Sequence, residues 1–257
     1  MENEKKKPLN KVHLQIIAAI SMLVDHLTWV LMRGEPTNAL PIILHIFGRL
    51  AFPIFAYFIA EGYHYTRNKN KYMLRILILA IVSHVPYMMA SVPFQQYGWL
   101  ACIPFATGSG INRFLNQGTV LFPYFIGLLM LRVKDNEKLN TVQKVFINIG
   151  LSIFAFPFDW SSIGALVVLI IGSNRGNPIR QILESYLWIA CYSLVYCFAL
   201  SVPYGLIQFG TILVVPLLYL YNGKKSDNPK VNKAMKYFLY IFYPLHLLII
   251  GIIGLCM

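Results

Sequence analysis

The sequence predicts an all-α, polytopic integral membrane helix bundle with about nine transmembrane helices and a cytosolic N-terminus. Three observations predict it. Hydrophobic residues make up 57% of the 257 and charged residues only 12%, about half the roughly 25% charge of an ordinary soluble domain. The apolar residues fall in long runs, giving a mean hydropathy of +0.59. The charge is lopsided, with 22 Lys and Arg against 10 Asp and Glu for a net +12. Because the cations sit in short clusters between apolar runs, they mark membrane topology and not a nucleic-acid surface.

A bilayer core about 30 Å thick needs about 20 apolar helical residues. The first run, Val12 to Met32, is a retained helix: it contains Asp25 and His26 and lacks a signal-peptide cleavage site. Leu40 to Tyr65 and Tyr72 to Val92 are each long enough to cross. The 93–117 loop carries Trp99, Phe105 and Phe114, apolar enough to lie on or dip into the membrane. Gly118 to Leu131 follows. Val145 to Phe158 and Ser161 to Gly172 are short, since 14 residues reach only about 21 Å, and read as half-spans meeting near Asp159. Ile182 to Leu200, Pro203 to Tyr221 and Tyr237 to Cys256 complete the set. No soluble domain, repeat or low-complexity segment interrupts this single unit of residues 1–257, which begins with a short basic cytosolic segment, 1–11.

The positive-inside rule supports the count. Lys5, Lys6, Lys7 and Lys11 precede the first span, and only Arg33 follows it. Arg67, Lys69, Lys71 and Arg75 lie on the inner side, and the next outer loop has only Arg113. Arg132, Lys134, Lys138 and Lys144 are inner again, as are Arg175 and Arg180. Lys224, Lys225, Lys230, Lys233 and Lys236 close the series. Nineteen cations fall inside and two outside, with Arg49 alone within a span.

Ionisable groups at membrane depth cost at least about 2.5–3.5 kcal/mol on insertion, so each needs a partner, water or a task. These are Asp25, His26, His45, Arg49, Glu61, His64, His84 and His246, with Asp159 and Glu184 near span ends. His26, His45 and Arg49 belong to the outer half, and Glu61 and His64 to the cytosolic end. Asp25 can pair with Arg49 as helix glue, Glu61 with Arg67 at the interface, and the histidines can be satisfied interior groups. Imidazole is nonetheless the side chain best suited to proton transfer near neutral pH. The four cysteines form no CxxC and no metal spacing, so no metal site is expected. Walker, zincin and GxSxG motifs are absent.

Several segments resemble the TraX family. They are Ile16 to His26, Phe47-Gly48-Arg49-Leu50-Ala51-Phe52-Pro53-Ile54-Phe55, Ala60-Glu61-Gly62-Tyr63, Thr66-Arg67-Asn68, and Lys71-Tyr72 with Arg75. Asp159 with Gly164, Tyr221-Asn222-Gly223 and Phe242-Tyr243-Pro244-Leu245-His246-Leu247 complete the resemblance, which runs in order along the whole chain. More distantly, the chain resembles the type 3 membrane acyltransferases, which commonly carry Arg eleven residues before the first-helix His. Here that position is Gln15, where TraX relatives tend to have Lys; Lys11 lies one turn earlier.

The resemblance implies a cell-membrane, multi-pass acetyltransferase of the bacterial cytoplasmic membrane. It would move acetyl from cytosolic acetyl-CoA to a hydroxyl or amine of an envelope or exported acceptor, a pilin-like peptide or a saccharide. The family's founding member is associated with N-terminal acetylation of conjugative pilin. The implied catalytic group is His26 as general base, Asp25 orienting it, and Arg49 stabilising the oxyanion. Arg67, Lys69 and Arg75 would hold CoA phosphates, with Glu61 and Tyr63 beside the pantetheine arm. Asn116, Asp159, Tyr243 and His246 would line the acceptor side. Two other readings stand beside this one: a secondary transporter using Asp25, His26 and Glu61 as a proton relay, and an envelope-assembly protein whose buried charges only join helices.

Overall fold

The computed structural model describes residues 7–32, 38–108, 113–199 and 201–257. Lys5, Lys6 and Arg33, used above for orientation, lie outside the described residues. Among the described residues twelve α-helices follow in order: α1 (Lys11–Leu31), α2 (Ala39–Gly48), α3 (Ala51–Tyr65), α4 (Lys69–Met89), α5 (Val92–Tyr97), α6 (Leu121–Lys134), α7 (Thr141–Ala155), α8 (Ser161–Ser173), α9 (Pro178–Ala199), α10 (Val202–Ile207), α11 (Val214–Tyr219) and α12 (Pro229–Cys256). Among the described residues, five segments are long and apolar enough to cross a membrane: α1, Ala39–Tyr65, α4, Val202–Tyr219 and α12. Among the described residues there is no strand, only an isolated parallel bridge between Leu9 and Tyr221.

Three apolar runs take a form that the sequence does not predict. Pro203 to Tyr221 divides into α10, a 3-10 stretch at Gln208–Leu213 and α11. The run from Leu40 to Tyr65 divides into α2 and α3 at Arg49–Leu50. Pro53, in the first turn of α3, has no N–H to offer the Arg49 carbonyl, so the helical ladder is interrupted there. The last helix begins at Pro229, not near Tyr237. Asn228 caps it, accepting from Lys230 N, and proline at the first helical position suits a helix start. Its 28 residues span about 42 Å, which carries the basic Lys230–Lys236 stretch as helix well beyond an apolar core about 30 Å thick.

In a lipid surround, apolar burial gives little drive for helices to associate, so close backbone approach and polar contacts carry the packing. The α6–α8 pair shows this. A Cβ on Gly127 would sit 2.7 Å from the Ala165 carbonyl, and one on Gly164 would sit 2.6 Å from Pro123 Cβ. Helix α1 packs against α2, α3 and α12 and begins at Asn10, whose side chain accepts from Val12 N and His13 N. The segment just before it is pinned to the chain entering α12: Asn222 N donates to Leu9 O (2.9 Å) and Lys11 N to Lys224 O (2.9 Å). These bonds bring the starts of α1 and α12 to one end of the bundle.

Candidate functional site

Four helices each turn one stripe of residues toward a common space. Lys11, Gln15, Met22, Asp25 and His26 come from α1, and Phe52, Phe55, Ile59 and Gly62 from α3. Tyr72, Arg75, Ile76 and Leu79 come from α4, and Lys233, Lys236, Tyr240 and Tyr243 from α12. Apart from the neighbours Asp25–His26 and Arg75–Ile76, successive members stand three, four or seven residues apart, so each set keeps to one side of its helix. Between them lies a cavity of about 490 Å³.

The cavity is polarised. Arg75, Lys225, Lys233 and Lys236 are exposed and Lys11 is half-buried, and together they make a basic mouth. The middle is walled by Phe55, Phe58, Ile59 and Leu79 around Gln15 and Tyr72. The floor holds Asp25, His26, Arg49, Asp159, Trp160, Tyr124 and Tyr243. From Lys11 to Asp25 is fourteen residues along α1, about 21 Å of helix. The sequence thus places a cation cluster and a buried polar cluster at the two ends of one chamber.

On the floor, His45 Nδ1–H donates to Asp25 Oδ1 at 2.7 Å. Arg49 Nη2 lies 3.7 Å from the same oxygen. Arg49 is buried, and its Nε has no hydrogen-bond partner. Its guanidinium stands 5.5 Å over the Trp160 ring, which stacks on Phe52 at 3.7 Å. A buried N–H left unpaired costs about 1–3 kcal/mol, so this nitrogen is a donor with hydrogen-bonding capacity to spare at the cavity. His26 Nδ1 lies 2.9 Å from His246 Nε2. Asp159 sits on the turn between α7 and α8, with its N–H donating to Gly118 O at 2.9 Å. The next two residues, Trp160 (φ 60°) and Ser161 (φ 48°), hold left-handed backbone. Such backbone costs a non-glycine residue about 1–2 kcal/mol and concentrates at functional sites.

Of the residues singled out from the sequence, Asp25, His26, Arg49, Asp159, Tyr243 and Arg75 share this cavity, and His246 supports it from behind. Asp25 does not orient His26. Neighbours in a helix point about 100° apart, and Asp25 turns to α2 while His26 turns to α12. Glu61, Tyr63, Lys69 and Arg67 are not on the cavity. Residues 61 and 63 flank Gly62, the residue that does face it, and so project to either side. Glu61 pairs with Arg175 at 3.4 Å, away from the Asp25–His26 floor. Tyr63 OH and Lys69 Nζ both donate to Asp135 Oδ2, each at 3.0 Å, and Lys69 lies 4.0 Å over the Tyr63 ring. Burial pushes the Asp135 carboxyl up, but these two donors and the Lys69 charge hold it below its usual value. Arg67 is exposed. Asn116, with φ 55°, lies in the loop before α6 and also misses the cavity.

The sequence reading missed Lys225, Lys233, Lys236 and Tyr240 as cavity residues, having taken the lysines only as marks of orientation. A signal was present: Lys233, Lys236, Tyr240 and Tyr243 share one helical face once α12 is extended back to Pro229. Gln15 and Lys11, noted for their spacing from His26, prove to line the same wall. Among the described residues no group of three or more His, Cys, Asp or Glu could hold a metal ion.

The family model described as TraX protein matches residues 10–254. A curated relative, the probable fimbrial assembly protein FimC, serogroup H1, of Dichelobacter nodosus, is 24% identical over 239 residues, covering 91% of each chain. No solved structure matches the chain.

Proposed function

The chain belongs to the TraX family, and from that membership and the cavity we propose that it is a membrane-embedded acetyltransferase. Acetyl-CoA is the donor, and the acceptor is a hydroxyl or amine of an envelope or exported molecule. The single observation that carries this reading is the two-ended cavity: a five-cation mouth and a floor bearing His26 and an under-bonded, buried Arg49. Lys11, Arg75, Lys225, Lys233 and Lys236 suit the phosphates of a CoA molecule. The apolar-walled middle suits the extended pantetheine arm, which has the length to carry a thioester from mouth to floor.

On the floor, His26 takes the proton from the acceptor O–H or N–H as that atom bonds to the acyl carbon. Arg49 faces the carbonyl oxygen and offsets the charge that develops on it, a contribution large in a dry, preorganised site. The carbon–sulfur bond then breaks, and His26 returns the proton to the departing thiolate. The acceptor is left as an ester or an amide, and the thiol of CoA is restored.

The same reading orients the protein. Nine crossings, α1, α2–α3, α4, α6, α7, α8, α9, α10–α11 and α12, start from a cytosolic N-terminus. This puts the starts of α1, α4 and α12, and with them the cationic mouth, in the cytosol where acetyl-CoA is made. Acetylation of a pilin-like subunit fits the name of the fimbrial assembly relative. The test is incubation of membranes holding the protein with labelled acetyl-CoA, then mass spectrometry of envelope proteins and saccharides. A labelled product that disappears in His26→Ala and Arg49→Gln is expected. Acetyl-CoA-independent substrate flux, or full transfer by His26→Ala, would overturn the proposal.

A further inference from the structure

We propose that His246 is a positioning residue that fixes the proton on His26, keeping Nδ1 protonated and leaving the Nε2 lone pair open to the cavity. The inference follows from a chain of hydrogen bonds whose first acceptor is unambiguous. His246 Nδ1 lies 2.8 Å from the Phe242 carbonyl oxygen. A carbonyl can only accept, so Nδ1 of His246 carries the proton. The neutral ring then presents a bare Nε2, and this nitrogen is 2.9 Å from His26 Nδ1. One proton must lie between the two nitrogens, so His26 Nδ1 supplies it. A neutral imidazole has one N–H, and therefore Nε2 of His26 has none. No described residue bonds that nitrogen, and His26 lines the cavity.

The surroundings hold both rings in this arrangement. His246 and His26 are only 4% and 7% exposed. The Phe242 ring stacks on His246 at 4.7 Å and 9°, and Trp29 meets His26 edge-on at 5.4 Å. The carboxylate next in sequence cannot do this work, because Asp25 is bonded to His45. A base must present its lone pair to the proton it removes, with geometry set before its strength matters. The last helix thus sets which nitrogen of the first helix can act.

The inference rests on the acetyl-transfer reading for its effect on rate, but not for the tautomer itself, and the experiment separates the two. Full-length protein carrying ¹⁵N-histidine in lipid nanodiscs gives long-range ¹H–¹⁵N correlations that distinguish the two tautomers. His26 is identified by the signals lost in His26→Ala. The expected spectrum shows His26 protonated at Nδ1 and bare at Nε2. His246→Gln, whose amide oxygen can accept from Nδ1–H, retains both the tautomer and transfer. His246→Leu loses the tautomer, and transfer falls about 10²-fold with the KM for acetyl-CoA unchanged. Wild-type His26 protonated at Nε2 would overturn the inference, as would an unchanged tautomer and rate in folded His246→Leu. The expected tautomer in a protein that transfers no acetyl group would uphold this inference and remove the acetyl-transfer reading.

Discussion

A methyl group at position 48 measures how tightly the floor is set. A Cβ there would lie 2.7 Å from both Cγ and Oδ1 of Asp25. The carboxylate cannot simply retreat, because His45 holds Oδ1 at 2.7 Å and Arg49 stands beside it. Overpacking of this kind costs about 1–3 kcal/mol, so Gly48→Ala should lower the melting temperature in detergent and slow acetyl transfer. Gly150→Ala is the control: nothing lies within 4 Å of the added carbon, and alanine is the better helix former by about 1 kcal/mol. It should leave transfer unchanged and stability equal or higher. Asp25, His26 and Arg49 were legible in the sequence because lipid should exclude them. The Asp25–Arg49 pair was legible as well; the histidine partners were not. Adjacency in sequence suggested Asp25 with His26, whereas helical geometry gives Asp25 to His45 and His26 to His246.

Helix faces decide which cations reach the cavity. Lys233 and Lys236 lie on the stripe of α12 that continues to Tyr240 and Tyr243 at the cavity, whereas Lys230 does not line it. Replacing Lys233 and Lys236 together by alanine should raise the KM for acetyl-CoA about tenfold with kcat nearly unchanged. Lys230→Ala should do neither, as steady-state kinetics would show. Tenfold corresponds to about 1.4 kcal/mol, modest because exposed charges are screened by water and salt. Lys69 makes the contrast, since its charge ties α4 to Asp135, just past the end of α6. That carboxyl is held below its ordinary value in the folded protein, so its stabilising share is present above the unfolded-state pKa and is lost as pH falls through the depressed folded-state one. Melting followed from pH 5 down to pH 3 should show a shallower acid-side loss in Asp135→Asn than in wild type. The effect should be small, because Asp135 is 35% exposed and screened. In the sequence, Arg67 and Lys69 were expected at the CoA phosphates and Lys233 marked only orientation, whereas Lys233 lines the cavity and the other two do not. Only the start of α12 at Pro229 and the direction of each face separated them.

At the scale of the whole molecule, the apolar helical runs were legible because membrane solvation imposes them on any chain. The convergence of three helix starts on one mouth was not, since it depends on the backbone bonds that join Leu9 and Lys11 to the chain entering α12. On the proposed function, the mouth's four lysines and one arginine serve two purposes that composition merges, and these can be separated. Replacing Lys11, Arg75, Lys225, Lys233 and Lys236 by glutamine leaves fourteen of the nineteen inner cations in place, against two outer ones. The bias that sets orientation depends on the difference between loops and not on any one cluster, so a reporter fused after Met257 should stay on the same side of the membrane. On the proposed reading the donor's phosphates are held at the mouth, so acetyl-CoA should no longer shield a cysteine placed at Gln15 from thiol reagents. An inverted reporter with shielding intact would mean that these charges record topology only. A fixed reporter with shielding lost would assign them to the donor, and would do so without requiring knowledge of the acceptor.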